Sequence, residues 1–243
     1  MAQPPALPAP PGYGPIVPLD RQAHAGRGAS AQRRGAFARG NHILYLTSEE
    51  FFQAALDYPL AFVLQPQGDA APVALLGLEE GRNLCVDAAG RWPAGRYVPA
   101  VARRYPFCVV RVRVPSGEQR LICVDEQGLD AKAPAYFDAA GNASPEWQAM
   151  QQLIDQLEGA QQATEAFCAR LREHDLLVPF DVHVKLKGGR KHHVAGLSRV
   201  DEERLRALDD ATLAAWTRDG TLARVHAHLL SLNHLARFPD RCV

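Results

Sequence analysis

Phe107-Cys108-Val109-Val110-Arg111-Val112-Arg113-Val114, then Pro115-Ser116-Gly117-Glu118, then Arg120-Leu121-Ile122-Cys123-Val124, is the stretch that decides the fold class. Residues 110–114 alternate strictly between valine and arginine, the period of a strand with one face in a core and one in water. A Pro-Ser-Gly-Glu connection returns the chain to a second apolar run, so the segment reads as a β-hairpin. A hairpin joins neighbours antiparallel, which places an antiparallel sheet in the first half of the chain.

Working outward, His42-Ile43-Leu44-Tyr45-Leu46 and residues 61–64, 73–78 and 82–86 read as further strands. Thr47-Ser48-Glu49-Glu50 starts a short helix, with a hydroxyl cap and acids in the first turn. The second half is mainly helical. Ser144-Pro145-Glu146 is a start signal, and Trp147, Met150, Leu153, Ile154 and Leu157 follow at helical spacing, resuming after Gly159 with Phe167, Cys168 and Leu171. A break near Pro179 leads to a second strand pair. Asp201 opens a helix, Asp210 caps another, and Asp219-Gly220 precedes a last one carrying Leu222, Val225, Leu229 and Leu232. The expectation is α+β: mainly antiparallel sheet over 41–140, helices and a β-hairpin over 144–243, in one domain from 41 to 243. Residues 1–40 are rich in Pro, Ala and Arg and poor in large apolar groups, so a flexible arm is expected there, with Ile16-Val17-Pro18-Leu19 able to dock.

The chain has 243 residues, and 27 Lys+Arg balance 27 Asp+Glu. Zero net charge removes a chain-wide electrostatic case for nucleic acid, which is not expected as a partner. No apolar run approaches the roughly 18–20 residues of a membrane span, and Met1-Ala2-Gln3-Pro4-Pro5 has neither the basic nor the apolar part of a secretion signal, so a cytoplasmic location is expected. The 5 cysteines form no C-x-x-C, and buried free thiols are expected. Asp87, Asp125 and Asp138 each stand three residues before a glycine. A calcium loop needs about six or more oxygens; these offer one or two carboxylates each, and connector turns are expected.

Two constellations could carry chemistry. Pro99 starts a helix that must end near Arg104, because Tyr105 precedes Pro106. Trp92, Tyr97, Arg103, Arg104 and Tyr105 there form either an aromatic and arginine pocket for a glycan or an anion, or a structural corner where guanidinium groups stack and cap. The second is Val182-His183-Val184-Lys185-Leu186-Lys187 and Arg190-Lys191-His192-His193-Val194 around Gly188-Gly189. A two-residue Gly-Gly turn pairs Lys185 with His192 and presents His183, Lys185, Lys187, Arg190 and His192 on one face, either an anion-binding ribbon or a solvated tip. His226-Ala227-His228 lies two apart on a helix and shares no face. No metal site and no cofactor are expected.

Several stretches together resemble the bacterial SapC family: Ile16-Val17-Pro18-Leu19 with His24; Tyr58-Pro59; Leu75-Leu76-Gly77-Leu78 with Asn83-Leu84; Gly90-Arg91-Trp92; Tyr97-Val98-Pro99-Ala100; Arg103-Arg104-Tyr105-Pro106-Phe107; Gly196-Leu197 with Val200-Asp201-Glu202; and His228 with Ser231-Leu232. The family is named after a surface-layer locus, and its members also occur near genes for outer-membrane receptors and nutrient uptake. The resemblance implies a non-catalytic binding or accessory protein linked to such processes, its partner a protein, a glycan or a small anion. The alternative is an enzyme acting on a small polar or anionic substrate, sugar-like or phosphorylated, at the corner of residues 97–107.

Overall fold

The computed structural model describes residues 7–65, 68–114, 117–185 and 191–236. The expected hairpin is present: β6 (Phe107–Val114) pairs antiparallel with β7 (Gly117–Asp125), Val110 opposite Leu121 and Cys108 opposite Cys123. β1 (Ile16–Pro18) adds to β7, giving a three-stranded sheet β1-β7-β6. A second sheet has five antiparallel strands in the order β3-β5-β4-β10-β9, with β3 at Ile43–Tyr45, β4 at Leu60–Leu64, β5 at Ala70–Leu75, β9 at Leu177–Lys185 and β10 at Lys191–Val200. The α+β expectation is met, with helices concentrated in the second half.

One helix ties the sheets together. α4 (Pro145–Glu173) is 29 residues long, roughly 43 Å at 1.5 Å per residue. Ser144 accepts a hydrogen bond from the Trp147 N–H, the cap the sequence shows. Its N-terminal half places Trp147, Met150 and Ile154 against Phe107 and Val124 of the small sheet. Its C-terminal half places Phe167, Cys168 and Leu171 against Phe62, Val73 and Leu75 of the large one. Gly159 sits between the two halves without a break, because the apolar stripe continues in phase on both sides of it.

Four expectations change. Residues 16–18 dock in extended form, as expected of the 16–19 run, but residues 20–40 are not a flexible arm. β1 pairs with β7, β2 (Gly28–Ala29) pairs with β8 (Leu129–Asp130), and α1 (Ala31–Arg39) follows the Ser30 cap. Few apolar residues suffice, because each lands in a deep site: Ile16 and Phe37 are buried, and Tyr13 donates its hydroxyl to the Phe107 carbonyl (2.8 Å). His24 is buried too, with Nδ1 against the Asp20 backbone and Nε2 3.6 Å from the Glu126 carboxylate. Residues 82–86 form a loop instead of a strand: the Asn83 side chain donates to the Ala38 carbonyl and accepts from the Cys85 N–H, using up backbone groups a ladder would need. Pro179 does not interrupt β9. That strand lies at the sheet edge, where a missing N–H costs no ladder bond. The cap of α6 (Asp210–Arg218) is Asp209, one residue earlier than expected. α5 (Glu202–Arg206) takes the expected Asp201 cap, and α7 (Thr221–Ser231) follows α6.

The turns at Asp87 and Asp138 are connectors. Each carboxylate accepts backbone N–H bonds two and four residues ahead, and Gly90 and Gly141 take positive φ. Among the described residues no helix is long and apolar enough to cross a membrane.

Candidate functional site

The corner is organised by Glu50. Thr47 and Glu50 form a capping box around a 3-10 turn (Ser48–Glu50), and Glu50 is buried. Its second oxygen accepts from the Tyr97 hydroxyl and from the Ala100 N–H, both at 2.8 Å, so it also caps α3 (Ala100–Arg104). Burial, with the Glu50 carboxylate next in weight, holds the Tyr97 phenol protonated well above its ordinary range. Asp57 fixes the approach, accepting from the Tyr97 N–H and from Arg96 Nη1, both at 2.8 Å.

The five expected corner residues do not share one pocket. Consecutive helix positions diverge by about 100°, and Arg103 and Arg104 leave α3 on different sides. Arg104 turns inward, lining a cleft of about 150 Å³ with Tyr13, Tyr45 and Leu157. Its buried Nε has no hydrogen-bond partner among the described residues. Burial raises the Tyr13 hydroxyl to about 12, so that group stays a neutral donor. Tyr105 is core: its ring stacks on Phe37 at 4.3 Å and its hydroxyl donates to Asp125.

Arg103 turns outward. Its Nε donates to the Val98 carbonyl (3.1 Å), its Nη2 to the Tyr97 hydroxyl (3.3 Å), and its guanidinium lies 5.8 Å from the Tyr97 ring centre. With Trp92 it lines a pocket of about 310 Å³, whose other cations are Arg34 of α1 and Arg91 of the Asp87 turn. Two glycines build this pocket. A Cβ on Gly90 would stand 2.0 Å from the Gly35 carbonyl oxygen, and one on Gly35 would stand 2.3 Å from that of Ala89. Only bare backbone lets α1 and the turn touch, and that contact brings Arg34 beside Arg91. Sequence reasoning missed Arg34 and Arg91 because their neighbourhood depends on a glycine contact between segments 55 residues apart. Among the described residues the pocket lining contains three arginines and no carboxylate. A groove of about 670 Å³ between α4 and β5 differs: its cation Arg172 is paired with Asp69 at 2.9 Å.

The second hairpin keeps its strands but not its register. His193 pairs with His183, His192 with Val184 and Lys191 with Lys185, one residue away from the pairing a two-residue turn would give. Because side chains alternate, that slip moves residues 191–194 to the other face, whereas Leu197–Val200, past an irregularity after Val194, keep the expected pairing. His192 therefore joins Val182 and Val184 on the packed face, where its Nδ1 meets Glu79 at 3.2 Å, and it leaves the expected basic face. His193 takes its place beside His183, the rings stacked at 4.5 Å. Lys187, Arg190 and the Lys185 side chain lie outside the described residues.

A family model described as SapC matches residues 19–238. The chain belongs to the SapC family. No curated protein and no solved structure matches it. Most of the SapC-like stretches now have structural roles. Tyr58 donates its hydroxyl to the Tyr97 carbonyl at 2.6 Å. His228 and Ser231 of α7 close the gap where β4 parts from β10. The Leu60 N–H donates to Ser231 Oγ (2.9 Å), His228 Nδ1–H to the Leu60 carbonyl (3.0 Å), and the Val200 N–H to His228 Nε2 (3.1 Å). Full burial lowers the His228 pKa to about 4, so it is a neutral staple and not a base. Gly90-Arg91-Trp92, Val98 and Arg103 are SapC-like residues that line the pocket of about 310 Å³.

Proposed function

We propose that this SapC-family chain is a non-catalytic binding protein for a small anion, a carboxylated or phosphorylated sugar, at the Arg34–Arg91–Arg103 pocket. One observation carries this reading: three guanidinium groups from three separate segments surround one pocket whose described lining holds no carboxylate. Guanidinium forks match carboxylate and phosphate oxygens two at a time. The half-buried Trp92 offers a flat face for a sugar ring, and about 310 Å³ is at the small end of ligand sites. Arg91 is partly offset by Asp87 (2.8 Å), while Arg103 is held in place by Tyr97 and the Val98 carbonyl. The described lining has guanidinium, indole and aliphatic groups but no acid, base or nucleophile that works near neutral pH, which favours binding over turnover.

The family's surface-layer name supports a role in surface-layer or outer-membrane processes, and the four buried free thiols among the described residues suit a reducing cytoplasm. The experiment is calorimetric titration with glucuronate, glucose 6-phosphate and neutral glucose. Binding of the charged sugars, weakened by salt and lost in the Arg34→Ala/Arg91→Ala/Arg103→Ala variant, is expected. Equal binding of neutral glucose, or binding that survives the triple variant, overturns the reading. Conversion of either sugar by the wild type would favour an enzyme at the corner.

A further inference from the structure

The observed hairpin register creates a juxtaposition that a two-residue turn would have forbidden. Asp181 and His183 are two apart on β9 and so share a face. His193 on β10 is the direct cross-strand partner of His183. The two imidazole rings lie parallel, 4.5 Å between centres, and His193 Nε2 is 3.2 Å from Asp181 Oδ2. One ligand atom from each residue falls within 4.8 Å of the others, the only such group of three found among the described residues. His193 and Asp181 are both about half exposed, so neither the cation nor its water is barred from the group.

We propose that Asp181, His183 and His193 bind a divalent transition metal, Zn²⁺ being the best chemical match. Two imidazoles and a carboxylate suit zinc, copper or nickel and do not suit calcium or magnesium, which need more oxygens. Tetrahedral zinc with ligands about 2.0–2.1 Å away holds them roughly 3.4 Å apart. The present spacing needs closing by about an ångström, which rotation of exposed side chains supplies without moving the strands. Three protein ligands leave the fourth place for water or an incoming donor. The ion would join edge strand β9 to β10 beyond the irregularity between Val194 and Leu197.

Zinc titration of the full chain by calorimetry, with Co²⁺ absorption as a second readout, decides the matter. The wild type should bind one equivalent and show visible Co²⁺ bands of a four-coordinate site. His183→Ala and His193→Ala should each weaken binding at least tenfold, and Asp181→Asn by less. His192→Ala, a variant on the opposite face, should leave affinity unchanged. All sites altered in the first three variants are exposed, and circular dichroism checks that they fold. Absence of binding up to 1 mM on the order of ordinary screening limits, or full binding in the His183→Ala/His193→Ala double variant, overturns the proposal.

Discussion

The staple formed by His228 makes stability depend on pH in a direction that can be worked out. The residue is fully buried, and desolvation is the main cause of its lowered pKa of about 4; the Leu60 carbonyl works the other way, and Arg199 adds a smaller lowering. In the unfolded chain the ring titrates near its ordinary 6.5. Between those values the unfolded state binds a proton that the folded state refuses, so stability rises with pH across the window. The contribution is complete above about pH 6.5 and lost as pH falls toward 4. The full span is about 3 kcal/mol, and the part lost between pH 7.5 and pH 5 is about 2 kcal/mol. Urea unfolding of the wild type and of His228→Ala at both pH values isolates the effect, since every other titrating group is shared. At pH 7.5 the variant should be less stable by about 2–4 kcal/mol, because it leaves a cavity and strands the Leu60 carbonyl and Val200 N–H. At pH 5 the gap should shrink by about 2 kcal/mol. A gap that stays constant between the two pH values would refute the neutral-staple reasoning. His228→Gln, which keeps one polar contact, serves if the alanine variant does not fold.

Gly90→Ala should cost about 2–3 kcal/mol and remove sugar binding, since its φ is +76° and its Cβ would strike the Gly35 carbonyl; Gly95→Ala, at φ +78° in open space, should cost about 1 kcal/mol and leave binding intact. Thermal melts with titrations separate the two. Tyr13→Phe should lose about 1 kcal/mol through its bond to Phe107, and deleting residues 1–14 should lose more, the opposite of a dispensable arm, as denaturant midpoints will show. Glu50→Ala should cost about 2–4 kcal/mol and loosen the Tyr97–Arg103 contact, because the Tyr97 hydroxyl and the Ala100 N–H lose their acceptor; unchanged stability would remove Glu50 from the centre of the corner.

The elements that were legible in the sequence are those whose cause is local. The valine alternation of β6, the Ser144-Pro145 start of α4 and the Asp201 cap each act within a few residues, and each appears where expected. The second hairpin was misread because Gly188-Gly189 suggested a two-residue connection, whereas five positions separate the paired Lys185 and Lys191. One residue of slip was enough to exchange His192 for His193. Docking of residues 16–19 was legible in their apolar run, whereas the rest of the N-terminal segment was misread because average composition hides how deeply single residues such as Tyr13 and Phe37 are placed. At the corner, the divergence of Arg103 and Arg104 follows from helix geometry alone. Their real neighbours, Arg34 and Arg91 on one side and Tyr13 and Tyr45 on the other, come from contacts across tens to about ninety residues that no local pattern encodes.

The meeting of β4 with β10 and α7 also sets an order of events during synthesis. Leu60 finds its staple 168 and 171 residues later, at His228 and Ser231. Until those residues leave the ribosome, the apolar run Leu60-Ala61-Phe62-Val63-Leu64 has an open edge on the side that β10 will fill. At about 5–20 residues per second, that wait is on the order of ten seconds. An unpaired apolar edge is a template for pairing with another chain. A nascent chain stalled before Gly196 should therefore be cut readily near β4 by protease and self-associate once released, whereas the chain carried through Ser231 should resist both.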